Sequence, residues 1–388
     1  MKLLTGPLSC CLLLASTALM ADPVAVGAAK VDVTPTHPVA LAGYGGRTKE
    51  HEGVDTKIWA RALAIGAKDP AVIVAVDNCG IPASVTRAVA AKLKKGHGIK
   101  PANLVLAVTH THNAPSLRDY AVVVWGGRAT PAQKANMNKY TDWLIDRIVE
   151  AAAAALKNRQ PATLSWGMGR ADFGGNRRII NNGRWAGFGF QHDGPVDHSL
   201  PFLVAKDAAG KPVAIWANYA CHCTTLGGRN RICGDWAGFA GEDIEKDHPG
   251  SISVVTVGCG ADVGPQPSGG MEDAKSHGRK IAAGVAAVMK KALKPLAGLV
   301  KVIFGVFVER FTRKRLKRLT HIFFRMLDPL NLLRIQFTFL VQGRKFNLHL
   351  LVGKRPLSPI PEPHGEAAQD KTSQQRPQND EAPRRIHV

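Results

Sequence analysis

The sequence predicts an α/β protein, a layered mixed β-sheet core flanked by helices, with an irregular basic carboxy-terminal tail. Short uninterrupted apolar runs at 71–76 (AVIVAV), 104–108 and 254–257 have the length and composition of strands buried on both faces. Longer stretches of helical patterning separate them, as layered α/β cores require. At about residue 300 the character changes: residues 301–388 hold eight of the 13 Phe and 17 Lys/Arg against 7 Asp/Glu.

Residues 1–21 read as a signal peptide, with Lys2 at the start, the uncharged stretch Leu8–Met20 and a turn at Ala21-Asp22-Pro23. Export to a secreted or periplasmic location is therefore expected. The domain proper is expected over 22–299 and the tail over 300–388. Val24–Val33 and Ile58–Ile65 read as strands, followed by Ala71–Val76. A helix is expected over Ser84–Lys95 with Ser84 as its N-cap. Leu104–Val108 is the next strand, and Thr130-Pro131 opens a long helix running to about Lys157, with Thr as cap and Pro in the first turn. Leu203–Lys206 and Val213–Tyr219 flank a hairpin signal at Asp207, Val254–Val257 is a further strand, and a last helix is expected over Glu272–Leu293.

Charge and cysteine usage narrow the function classes. Of the net +21, +10 lies in 301–388, and the rest is spread thinly upstream. No basic groove interleaved with aromatics is visible, so nucleic acid is not an expected partner. Basic residues alternating with Leu, Ile and Phe over 304–340 offer peripheral membrane contact through the tail. An unrelated appended segment is the preferred reading of the tail, with disorder from Pro356 onward. Cys79, Cys221, Cys223, Cys233 and Cys259 are too few for a disulfide scaffold and read mainly as buried thiols.

Chemistry-bearing residues gather just past the apolar strands. His110 and His112 follow 104–108 two apart, so on an extended chain both imidazoles face one side, as a metal site needs. Two hydrogen-bonded or surface histidines are the competing reading. His222, in Cys221-His-Cys223, follows Val213–Tyr219; the flanking cysteines point away from it on a regular strand, although a bent loop would make a soft zinc site of them. Asp262 follows 254–257 in a glycine-rich turn, where strand ends present functional groups. Arg177, in Gly174-Gly-Asn-Arg-Arg178, is suited to orienting an anionic or carbonyl oxygen. Asp235 offers either support to a ligand histidine or a helix cap.

Taken in order, these segments resemble the neutral/alkaline non-lysosomal ceramidase family. Lys30-Val-Asp-Val-Thr-Pro35 and Leu41-Ala-Gly-Tyr-Gly-Gly-Arg47 look like its opening segment. Thr109-His-Thr-His112 is similar to its THTHSGP motif, with Asn113-Ala114 in place of Ser-Gly. Asn176-Arg177 resembles its Asn-Arg-Ser element, and Asn218–Thr225 the strand bearing its next metal histidine. The resemblance covers roughly residues 24–295 and implies a zinc-dependent hydrolase of an N-acyl amide bond in a small molecule or lipid. It implies Zn²⁺ on His110 and His222, with His112 and Arg177 contacting the substrate or the attacking water. Asp262 falls in the family's Gly-Asp-Val-Ser-Pro element, where Gly264 replaces the serine. The family's further Glu and Tyr ligands have no matching motif after residue 300. These departures imply weak or lost activity, and the alternative is a non-catalytic exported binding protein with the same fold. Either way, the imidazoles of 110, 112 and 222 are expected to converge.

Overall fold

The structure is a computed structural model that describes residues 23–121, 129–291 and 293–296, and the strands at 333–341 and 344–352. The expectations for residues 1–21 and for most of the tail lie outside the described residues. Two compact units divide the chain, residues 1–305 and 306–388. In the second, Leu333–Val341 and Arg344–Val352 pair as an antiparallel hairpin.

The first unit runs β1 (Val24–Asp32), β2 (Trp59–Ile65), β3 (Ala71–Val76), α1 (Ala83–His97), β4 (Leu104–Val108), α2 (Pro131–Lys157), β5 (Gln160–Arg170), β6 (Gly174–Asn181), β7 (Arg184–Gln191), β8 (Ser199–Lys206), β9 (Pro212–Tyr219), α3 (Asp235–Asp247), β10 (Ile252–Val257), β11 (Val263–Pro265), α4 (Met271–Met289) and β12 (Lys294–Pro295). A nine-stranded mixed sheet has the order β10-β9-β8-β5-β1-β2-β3-β4, with β12 beside β5, and β11-β6-β7 form a small antiparallel sheet. The pairs β3–β4 and β9–β10 are parallel. The layered α/β class read from the sequence is what the chain forms.

The order is a palindrome. The segment β2-β3-α1-β4-α2 is matched by β8-β9-α3-β10-α4, each an antiparallel pair followed by a helix, a parallel strand and a second helix. The halves join where Val24–Val26 of β1 pairs with Gln160–Ala162 of β5, a short seam at which the sheet folds over. Strand alternation shows the result. Ala60, Ala62 and Ala64 of β2 and Val72, Val74 and Val76 of β3 pack under α1 and α2, with Leu93, Leu144 and Ile148. The opposite-parity residues Leu63, Ile65 and Ala75 meet Leu164, Ala205, Ala214 and Val254 of the other half. A third core lies under α3 and α4, where Phe202, Ile215 and Val255 meet Trp236, Ile244 and Ile281. Four layers follow: helices, half-sheet, half-sheet, helices.

Local chemistry sets the element ends. Thr130 caps α2 in a full capping box, its Oγ1 accepting from Gln133 N at 3.2 Å while Gln133 Oε1 accepts from Thr130 N at 3.0 Å. The Ser84 cap is corrected: α1 begins at Ala83 behind Pro82, which supplies the extended backbone of an N-cap, and Ser84 Oγ is buried without a partner. The last helix stops at Met289, short of Leu293.

One buried ionic network ties the halves together. Arg61 of β2 reaches Asp77 Oδ2 at 3.1 Å and stands 3.7 Å from Glu245 of α3. Glu245 also accepts from Lys30 Nζ at 2.5 Å and Ser253 Oγ at 3.1 Å. Removing one partner of a buried pair leaves an uncompensated charge. Asp77→Ala is expected to destabilise the fold by about 3 kcal/mol, Glu245 limiting the loss. Urea unfolding at pH 7 checks this, and a change under about 1 kcal/mol would show that the network adds little.

Candidate metal centre

The loops that leave the carboxyl ends of β3–β4 and β9–β10 meet, so each half supplies one side of a cleft. Their junction is zipped by backbone: Thr111 bridges Cys223, and His112 N donates to Cys223 O at 3.2 Å. His110 leaves β4 with φ +57°, a left-handed conformation that a non-glycine residue adopts at a cost of about 1–2 kcal/mol. Strain of this kind gathers at sites where the surroundings over-determine a side chain.

Here the surroundings fix the ring. His110 Nδ1 lies 2.6 Å from Cys79 O, and His222 Nδ1 lies 2.7 Å from Gly260 O. A carbonyl only accepts, so both Nδ1 atoms carry the proton and both Nε2 atoms of the neutral rings present a lone pair. Those two Nε2 atoms face each other at 3.1 Å, and His112 Nε2 lies 3.3 Å from His110 Nε2. Lone pairs so placed repel unless a cation or a proton stands between them. Two tetrahedral Zn–N bonds of about 2.0–2.1 Å hold their nitrogens about 3.3–3.4 Å apart, close to the spacing seen. The donor set therefore fits a zinc ion.

Burial keeps the rings neutral. Desolvation pushes His112 down to about 3, helped by the charges of His110, His222, Arg177 and Arg47, and pushes His222 down to about 4. His110 is lowered by the same cause. Arg177 Nη2 donates to His222 Nε2 at 2.9 Å and to Ala261 O at 3.0 Å, so a guanidinium already leans on that lone pair.

All five residues singled out in the sequence stand here in different capacities. His110, His112, His222 and Arg177 converge. Asp262 lies beside them, its backbone carbonyl accepting from Arg177 N at 2.8 Å and its carboxylate acting on Arg177 through space. Cys221 and Cys223 are buried core thiols. Asp235 supports the His222 loop from below: its carboxylate takes Trp236 N at 2.6 Å and Leu226 N at 3.2 Å, while Trp236 Nε1 holds His222 O at 2.8 Å.

Sequence reasoning passed over the cradle. Cys79, at the end of β3, offers a sulfur that forms with His110 and His112 a group of ligand atoms within 4.8 Å of one another, a candidate Cys/His metal group. Its Sγ lies 3.9 Å from His110 Nδ1, the nitrogen already bound to a carbonyl, and burial raises the thiol. The signal was there in its place, one strand over from His110. Gly43, Tyr44 and Arg47, in the opening segment, also surround the histidines. Gly43 has φ +98° and lies so close beneath His112 that a Cβ would sit 2.4 Å from its Cγ. The Tyr44 ring meets His112 edge-on with centroids 4.9 Å apart, and Arg47 donates to His112 O.

The comparisons with known proteins bear on the family and the fold. The family described as neutral/alkaline non-lysosomal ceramidase, N-terminal, matches residues 24–256. The chain belongs to that family. Neutral ceramidase B of Dictyostelium discoideum is 29% identical over 237 residues, covering 57% of this chain and 31% of that protein. Neutral ceramidase of Pseudomonas aeruginosa is 29% identical over 251 residues, covering 62% of this chain and 36% of that protein. This ceramidase-family chain thus spans about a third of the length of those relatives. Among solved structures, a ceramidase complexed with C2 matches with a TM-score of 0.60 at 22% identity, covering 71% of this chain and 45% of that one. The crystal structure of the P. aeruginosa neutral ceramidase matches with a TM-score of 0.59 at 23% identity, covering 71% and 46%. These two likenesses bear on fold.

The depressed histidines set a pH dependence. Their folded values lie below the ordinary 6.5, so the unfolded chain takes up protons first as pH falls. Stability of the metal-free chain is expected to be complete above pH 6.5 and to drop towards pH 4. Urea midpoints between pH 7.5 and 4.5 check this, and His222→Asn is expected to flatten the slope. A midpoint independent of pH contradicts it.

Proposed function

We propose that the chain is a zinc-dependent hydrolase of an N-acyl amide bond, exported by residues 1–21 and acting on a ceramide-like lipid or a smaller amide. One observation carries the reading: two Nε2 lone pairs from opposite halves of the fold, each locked inward by an Nδ1–carbonyl hydrogen bond, meet at 3.1 Å in a ceramidase-family domain. The names of the relatives support the substrate class.

His110 and His222 would hold the zinc, whose Lewis acidity serves a carbonyl oxygen and an attacking water. His112, neutral in its buried seat, has Nδ1 enclosed without a partner and turns Nε2 toward His110, so that Nε2 alone would meet water or amide without bringing charge. Burial lowers Arg177 from the ordinary arginine value, yet a guanidinium keeps its proton in a protein. Its guanidinium is anchored by Nε and Nη2 on Ala261 O at 3.1 and 3.0 Å beside His222, and would from there donate to an amide carbonyl oxygen. Asp262 steadies that cation from the adjoining turn.

Gly264 argues for the alternative, a non-catalytic binding protein, because it has no hydroxyl where the family element has serine. The seat itself is open: a Cβ on Gly264 would meet Arg177 Cδ at 3.5 Å, ordinary van der Waals contact.

The purified full chain is expected to hold about one zinc ion, with His110→Ala and His222→Ala each weakening it by at least a hundredfold and Cys79→Ser by less than tenfold. Metal analysis and competition with a chromophoric chelator read this out. No zinc at micromolar metal sinks the proposal, and tight zinc without amide hydrolysis selects the binding-protein reading. Gly264→Ser is expected to change stability by less than about 0.5 kcal/mol and to raise N-acyl amide hydrolysis at least tenfold. An unchanged rate removes the serine from the argument.

A further inference from the structure

The β6–β7 hairpin carries a surface that neither the core nor the imidazole cluster explains. Among the described residues seven large hydrophobics are exposed, and four of them, Ile180, Trp185, Phe188 and Phe190, lie on this one hairpin. Trp185 and Phe188 are the most exposed of all, at 58% and 64%. Such clustering marks an interaction site where scattered apolar side chains do not.

Pairing register puts Ile180, Trp185 and Phe188 on one face, while Phe190 packs over Gly175. Ile180 stands opposite Trp185 and Arg178 opposite Phe188, and the Trp185 and Phe188 rings meet edge to face with centroids 5.8 Å apart. The tip is a tight two-residue turn, Asn182 at φ +49° and Gly183 at φ +73°, so the aromatics sit on a short stiff finger. From Gly174 to Gln191 the sequence has Arg177, Arg178 and Arg184 and no Asp or Glu. Phe188 lies under two of these cations, with Arg177 Cζ 5.1 Å and Arg178 Cζ 5.2 Å from its ring centre. Arg177 then touches His222, so the face is continuous with the cleft.

Exposed Trp and Phe beside arginines, without acid, complement an anionic lipid–water interface: the rings take the headgroup level and the guanidiniums take phosphate. We propose that the β6–β7 hairpin docks the chain on an anionic bilayer surface, with Trp185 and Phe188 entering the interface and Arg178 and Arg184 at the phosphates. No helix among the described residues is long and apolar enough to cross a membrane, and the proposed contact is a peripheral one. Docking there places the mouth of the imidazole cleft against the lipid. The inference rests on the hairpin's surface and stands whether or not the chain hydrolyses amides.

Co-sedimentation of the full chain with phosphatidylcholine vesicles, and with vesicles containing about 30% phosphatidylglycerol at low salt, tests it. Partition onto the anionic vesicles is expected to exceed that onto phosphatidylcholine by at least tenfold and to fall with salt. Trp185→Ser and Arg184→Glu are each expected to lower it roughly tenfold, while Met168→Ser, an exposed hydrophobic on β5, leaves it unchanged. All three positions are exposed, and far-ultraviolet circular dichroism confirms that the variants fold. Full binding by Trp185→Ser and Arg184→Glu overturns the proposal by assigning the contact to another basic stretch. Absence of anionic binding overturns it too, as does a dimer of wild type that both variants abolish, since the occupant would then be a second copy.

Discussion

Two backbone carbonyls decide what this cleft can do. By accepting from the Nδ1 atoms of His110 and His222, Cys79 O and Gly260 O fix both tautomers and aim two lone pairs at one another. Burial then removes the simplest relief, protonation, by lowering both imidazoles. What remains is a pocket of electron pairs with Arg177 at its rim, which on the proposed reading would receive a cation on one side and a polarised oxygen on the other. A strained His110 backbone is the cost of that aim.

The palindromic sheet explains why these groups meet. Each half ends a parallel strand pair at the same edge, and folding over at the β1–β5 seam lays the two edges side by side. Cys79 follows β3 as His222 follows β9, and the His110 loop follows β4 as the Gly258–Gly260 turn follows β10. One half therefore gives His110 and His112 with a carbonyl from its own β3 end. The other gives His222 with a carbonyl from its own β10 end. The ligand-bearing loops are therefore not topological equivalents: His110 leaves β4, whereas His222 leaves β9, the counterpart of β3.

Much of this was legible residue by residue. Strand ends such as Val108 and Tyr219 announce where His110, His112 and His222 must emerge, and the Thr130-Pro131 cap places α2 to the residue. Neighbourhood was not legible: nothing local says that β4 comes beside β3, so Cys79 looked like any buried thiol. The folding-over was hidden because its seam is three residue pairs long. Helix α3 escaped notice because Gly238 and Gly241 dilute its pattern, yet Gly241 is what lets the helix lie against Arg61 and Ser253. Strands β6 and β7 were missed because their apolar residues face outward, although Asn182-Gly183 is a strong turn signal. The repeat shows in topology alone, since packing constrains pattern more tightly than identity.

The site and the core are also coupled mechanically. Two clusters of side chains bind the halves deep in the unit, the Arg61–Asp77–Glu245 network at one end and the imidazole cluster at the other, beside single contacts such as Thr111 Oγ1 to Cys233 O. The first pairs opposite charges within the protein, although Arg61 Nε and Nη2 are left without hydrogen-bond partners. The second sets two Nε2 lone pairs 3.1 Å apart, their repulsion offset by the Arg177 guanidinium that donates to His222 Nε2. On the proposed reading an ion shared by His110 and His222 replaces that repulsion with a bond to each half, so its binding free energy adds to the stability of the four-layer packing. The same geometry that prepares the cleft for chemistry thus makes the metal a structural link, and loss of the ion would loosen the seam between the half-sheets before it disturbed the helices outside them.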